Sequence, residues 1–148
     1  LKIKKRPAAE IKKRVDEMLE LVGLTEYRNY YPSQLSASML QRVSIARAFA
    51  VQPDLLLMDE PYGQLDNSLR YKLEDELINL WQKTGTTVIF ITHNIEEAVY
   101  LSERILVLTN KPTSIKKEIS NNLPRPRNVT DLAFNKLRDE VTDLIKWW

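Results

Sequence analysis

Apolar residues recur along this chain at two spacings, and the change from one to the other sketches its elements. Ile11, Val15, Met18, Leu19 and Val22 form a stripe at helical spacing, with Pro7 suited to the first turn and Gly23 to the position just past the end. Leu24 to Pro32, with Tyr27, Tyr30 and Tyr31, reads as a brief helix followed by a turn, its tyrosines packing rather than stacking on bases. A second helix is expected over Leu35 to Val51. Met39, Val43, Ala46, Phe49 and Ala50 give it one apolar side, Ser36 is a good N-cap and Pro53 forbids continuation. A third runs from Asn67 to Lys83 on Leu69, Leu73, Leu77, Leu80 and Trp81, capped by Asn67 and ended by Thr84-Gly85.

Between these helices the spacing shortens. Leu55 to Asp59 is apolar without a break until its acid, the pattern of a fully buried, parallel-type strand, and Thr86 to Thr92 is a second, β-branched run of strand length. Strand, helix and strand in this order imply a right-handed crossover with parallel strands. Their carboxyl ends then share one edge of the sheet, where ligands of open α/β sheets bind. Asp59 and Glu60 close the first strand and His93, the only histidine, closes the second, so the three are expected to meet. Two adjacent carboxylates are costly to bury unless a cation or proton offsets them, which points to a metal-dependent site; a surface Asp-Glu-Pro turn is the alternative. Pro61 stops the strand and Gly63 allows the turn into the next helix.

Past His93, Asn94 to Leu101 forms a short helix holding Glu96 and Glu97. Arg104 to Leu108 is a third strand, expected to be parallel with the first two, and the Asn110-Lys111-Pro112 turn leads to a weaker strand at Ser114 to Ile119. Asn121 to Asn128, with Pro124 and Pro126, reads as a polar linker. Thr130 to Trp148 is a final amphipathic helix on Leu132, Phe134, Leu137, Val141, Leu144 and Ile145.

Composition changes this picture little. The 148 residues suffice for one domain, the net charge of +2 implies no global polyanion partner, and the absence of cysteine excludes disulfides and thiolate metal sites. No apolar run approaches the roughly 20 residues of a membrane span. Residues 2–14 concentrate Lys2, Lys4, Lys5, Arg6, Lys12, Lys13 and Arg14 against Glu10, either a phosphate-binding arm or the solvated face of the first helix. A start at Leu1, without Met and close to a helix, is expected to be a cut edge, so the chain is read as a fragment.

With the pieces in order, the chain resembles the second half of an ATP-binding subunit of an ABC transporter. LLLMDEP is similar to that family's Walker B strand with its following glutamate, GQLD to the D-loop and ITHNIEEA to the switch-histidine region. LSASMLQRVSIARA resembles the signature segment, and LTNKPTSI followed by NNLPRPR resembles the nitrate, sulfonate and taurine import branch. The resemblance implies an α/β fold. It is a partial P-loop NTPase (RecA-like) parallel sheet flanked by helices, with an N-terminal helical subdomain over 1–52, a catalytic core over 53–120, and a linker and C-terminal helix over 121–148. It also implies ATP and Mg2+ as cofactors. Asp59 would hold the magnesium ion through water, and Glu60 would polarise the attacking water. His93 would sense the γ-phosphate, Asp66 would link two subunits, and Ser36, Ala37, Ser38 and Met39 would face ATP held by the opposite subunit. The implied partners are a transmembrane permease, a second ATP-binding subunit and, indirectly, a periplasmic or extracellular substrate-binding protein. No nucleic acid is expected, and the implied location is the cytoplasmic face of the membrane.

Two departures qualify the expectation. Ala37 and Ser38 stand where the family has two glycines, and side chains there are expected to add about 1–3 kcal/mol of backbone strain; Leu40 also replaces a usual glutamine. With Gly23, Gly63 and Gly85 as the only glycines, no GxxxxGK[ST] phosphate loop can be written, so the Walker A half is absent and the isolated chain is expected to be inactive, with unpaired edges and exposed apolar surface. Two further readings remain: a non-catalytic or decayed subunit that only pairs with permease or a second subunit, and an ATPase of the same superfamily acting on nucleic acid through the basic N-terminus.

Overall fold

The computed structural model describes residues 6–63 and 65–146. Lys2, Lys4 and Lys5 of the basic segment, Gln64 of GQLD and the terminal Trp147-Trp148 lie outside the described residues. The chain divides into two compact units, Leu1–Ile91 and Thr92–Trp148.

The first unit holds α1 (Ala8–Leu21), α2 (Ala37–Ala50), β1 (Leu55–Asp59), α3 (Asn67–Thr84) and β2 (Thr87–Ile91), with two single-turn 3₁₀ segments at Thr25–Tyr27 and Pro32–Gln34. Pro7 opens α1, and Gly23 follows its end at φ 65°, the left-handed position that favours glycine. Met18, Val22 and Leu24 are buried with Ile45, Ala46 and Phe49 of α2, each fully buried side chain contributing about 1.5–3 kcal/mol. Arg14 donates to the last carbonyls of α2, Phe49 O at 2.9 Å and Ala50 O at 3.4 Å, and pairs with Glu17, while Arg6 pairs with Glu10. These two bases of the cationic segment are thus engaged within the fold.

β1 and β2 pair in parallel, from Leu55 opposite Thr87 to Asp59 opposite Ile91, as the 18-residue α3 between them permits. The expectation of a fully buried β1 is corrected: burial alternates, with Leu56 and Met58 inside and Leu55 and Leu57 at 51% and 67% exposed. Ile89 and Ile91 are also bare, so one face of the pair is apolar and uncovered, in line with the exposed surface expected of the isolated chain. The cap of α3 is Asp66, which accepts from the Leu69 N–H at 3.0 Å, rather than Asn67, because a cap must precede the first helical residue. Gly85 ends α3 at φ 66°.

The second unit holds α4 (Ile95–Leu101), β3 (Arg104–Leu108), β4 (Ile115–Ser120) and α5 (Leu132–Ile145). β3 was expected to run parallel with the first two strands; it pairs antiparallel with β4 instead. The turn between them is too short for a crossover, so a hairpin is the only closure. Val99, Ile105, Val107, Ile119, Phe134 and Val141 form the core. The proline-bearing stretch 121–128 is tied to the end of α4. Arg127, buried, donates to the carbonyls of Val99, Tyr100, Ser102, Asn121 and Leu123, and Arg125 to those of Tyr100 and Leu101.

Candidate active site

The apolar run of β1 delivers Asp59 to the carboxyl end of a parallel strand, and both Asp59 and Glu60 are exposed there. Ladder pairing continues one residue beyond the strand, since the Glu60 N–H donates to Ile91 O at 2.9 Å. The chain then reverses abruptly. Glu60 takes φ 44°, one of only two non-glycine residues among those described with positive φ, the other being Gln52. Gly63, expected to supply the turn's unusual conformation, does not need it; the left-handed residue is the acid itself. A non-glycine there stores about 1–3 kcal/mol, which surrounding contacts must hold.

Two contacts do so. Tyr62, 2% exposed, packs its ring 5.4 Å from that of Phe90 and donates its hydroxyl to Leu73 O at 3.4 Å. Gln41, in the second turn of α2, donates its side-chain amide to Pro61 O at 2.6 Å and to Glu60 O at 3.4 Å. Sequence reasoning missed Gln41, because the 19 residues separating it from Glu60 carry no periodic signal that could join them.

Gln41 also brings the signature segment to the acids. Ser36 caps α2 by accepting from the Met39 N–H at 3.3 Å, and Ala37 and Ser38 form the first helical turn. Neither has positive φ, so the strain expected from replacing two glycines is not there: an N-terminal helical turn suits any small residue. That turn directs N–H groups and the positive end of the helix dipole outward, favourable to an anion. Asp66, six residues past Glu60, is occupied as the cap of α3. His93 is exposed and is the second residue of the second unit, two residues after β2 ends.

The donors at this strand end are carboxylate oxygens, which suit hard cations. Among the described residues no three ligating side chains cluster. Two carboxylates at one strand end fit Mg2+, which keeps its waters and is bound through one or two carboxylates plus substrate phosphates. Walls for a nucleotide are another matter. A groove of about 230 Å³ is lined by Arg6, Glu10, Arg14 and Gln52, and one of about 350 Å³ by Met18, Leu21, Lys72 and Glu76; neither includes Asp59 or Glu60.

The ABC transporter family pattern matches residues 2–63. The aliphatic sulfonates import ATP-binding protein of Bacillus cereus is 46% identical over 131 residues, covering 88% of this chain and 52% of that protein. The dimeric structure of a bacterial ABC transporter cassette superimposes with a TM-score of 0.71 at 34% identity, covering 80% of this chain and 50% of that one. The chain belongs to the ABC transporter ATP-binding family. Its fold is the P-loop NTPase cassette fold, as the sequence resemblance implied. The nitrate import ATP-binding protein of Synechococcus elongatus is 43% identical over 136 residues, covering 88% of this chain and 50% of that protein, so relatives named for sulfonate and for nitrate import both match. The chain spans about half the length of these relatives. Among the described residues, no helix of this ABC family member is long and apolar enough to cross a membrane.

Proposed function

We propose that this chain supplies the Walker B, signature and switch portion of an ATP-hydrolysing subunit that powers import of a small anion such as nitrate, a sulfonate or taurine. The observation carrying the reading is the pair Asp59-Glu60 at the end of a parallel strand, with the turn behind it held by Gln41 of the signature helix. Relatives named for sulfonate and nitrate import support the substrate class.

Each residue has a role set by its chemistry. Asp59 would hold Mg2+ through water, and the metal, when bound with ATP, would neutralise charge on the transferring phosphoryl group. Glu60 accepts a proton from the water attacking the γ-phosphate, a contribution of about 10²–10⁴-fold for a positioned base. His93 hydrogen-bonds the γ-phosphate and so registers its presence. Ser36, Ala37, Ser38 and Met39 present the N-terminal turn of α2 to ATP bound by a second ATP-binding subunit, with Asp66 at the interface of the two. The partners are that second subunit, a transmembrane permease on whose cytoplasmic side the protein sits, and through it an external substrate-binding protein. The sequence holds no GxxxxGK[ST] loop that could cradle the phosphates, and on that ground the 148 residues alone are read as inactive.

Phosphate release tests the reading. The 148-residue chain should turn over ATP at background. In the complete ATP-binding subunit, Asp59→Asn should abolish Mg2+-dependent turnover; unchanged turnover would remove Asp59 from the metal site.

A further inference from the structure

His93 stands between two residues that are both anchored to one buried carboxylate. Glu97, 6% exposed, accepts from the Thr92 hydroxyl at 2.6 Å through Oε2 and from the Asn94 side-chain amide at 3.4 Å through Oε1. The same two residues close a smaller circuit around the loop. The Asn94 N–H donates to Thr92 Oγ1 at 2.9 Å, and Asn94 Oδ1 accepts from the N–H groups of Glu96 at 3.0 Å and Glu97 at 3.4 Å.

We propose that Glu97 is a positioning residue: it fixes the backbone on both sides of His93 and so sets where the exposed imidazole points. This rests on the reading that His93 contacts the γ-phosphate. Glu97 lies three residues past Asn94 and five past Thr92, and its side chain reaches back over the first turn of α4, so it can hold both only while α4 is formed. A buried carboxylate also needs every acceptor oxygen occupied, and both of its oxygens are used on the loop. The sequence already supplies Thr-His-Asn followed by Glu97, but only the fold shows that the acid turns inward to the loop while its neighbour Glu96 is half-buried.

Because His93 is the only histidine, its ring Cε1–H signal can be followed without assignment in the 148-residue chain labelled on histidine. Glu97→Ala should shift and broaden that signal and, by freeing the Thr92 and Asn94 side chains that accept from the Asn94 and Glu96 amides, should speed hydrogen exchange of those amides by about tenfold or more. Glu97→Gln, which keeps the length and one acceptor, should restore part of both. Val99→Ala, a core change in the same helix that touches none of these bonds, should leave the ring signal in place. A ring signal unchanged in Glu97→Ala, or moved equally by Val99→Ala, would overturn the assignment. Turnover in the complete subunit then separates the two claims. A fall in kcat for Glu97→Ala with KM for ATP unchanged supports both, whereas a displaced ring with normal kcat leaves Glu97 positioning the loop and removes His93 from catalysis.

Discussion

Arg127→Ala tests how α4 is held. The guanidinium donates from Nη1 to Val99 O at 2.9 Å, Tyr100 O at 2.8 Å and Ser102 O at 2.7 Å, and from Nε and Nη2 to Leu123 O and Asn121 O, both at 3.3 Å. The first three are carbonyls at the end of α4 that no further helical turn can satisfy. Truncation takes this donor from Ser102 O, while Val99 O keeps the Asn121 side-chain amide at 2.8 Å and Tyr100 O keeps Arg125 at 3.2 Å. With two of the three carbonyls still paired, the loss is about 1–3 kcal/mol, which at about 4–8 °C per kcal/mol for a small domain lowers its Tm by roughly 5–20 °C. Lysine, a point charge without the planar fork, should recover less than half. Burial first, and Arg125 second, lower the Arg127 pKa from the ordinary guanidinium range to about 10. A cationic group whose pKa falls on folding opposes folding while charged, and that opposition is relieved only as pH rises through about 10. The native state then releases a proton that the unfolded state, with its higher pKa, still keeps. Stability arising from Arg127 is therefore flat across about pH 6–9 and its charge is complete there. Thermal and urea unfolding, with hydrogen exchange on α4, measure the loss. A loss below about 1 kcal/mol, or one that varies with pH in the neutral range, would refute the reasoning.

Three other outcomes follow from the geometry. The uncovered face carrying Leu55, Leu57, Ile89 and Ile91 should make the 148-residue chain self-associate, and Leu57→Lys with Ile89→Glu should increase the monomer fraction in sedimentation velocity. Glu60→Gly should relieve the left-handed strain and raise unfolding stability by up to about 1 kcal/mol, because glycine adopts positive φ freely. Gln41→Ala should release the carbonyls of Glu60 and Pro61, costing about 1–2 kcal/mol and lowering kcat of the complete subunit, whereas Gln41→Glu should do no better because it lacks the donor.

Much of this was legible in the residues because local signals coincide with tertiary need. Ser36 caps α2, Gly23 and Gly85 take the left-handed positions after α1 and α3, and Arg104–Leu108 is a strand with the bounds its pattern gives. The failures share a cause, which is that periodicity reports a residue's neighbours along the chain and not its partners across it. The apolar run of β1 looked buried on both faces, yet only Leu56 and Met58 are covered. β3 looked like one more parallel strand because nothing in RILVL states that its partner lies a turn away. At the site, the acids and the histidine announced themselves by type and position. The side chains that hold them, Gln41 for the Glu60 turn and Glu97 for the His93 loop, are ordinary polar residues until the fold shows what they touch. The strain anticipated at Ala37 and Ser38 sits at Glu60, where a sharp turn must follow directly on a strand.

The central claim is that Glu60 is the base acting on water beside Asp59 and its metal, and one substitution isolates it. Glu60→Gln keeps the shape of the side chain and removes its capacity to take a proton. In the complete subunit assembled with its permease, ATP turnover should fall by about 10²-fold or more while ATP still binds and nucleotide-bound dimers accumulate. Turnover at the wild-type rate in that variant would contradict the assignment.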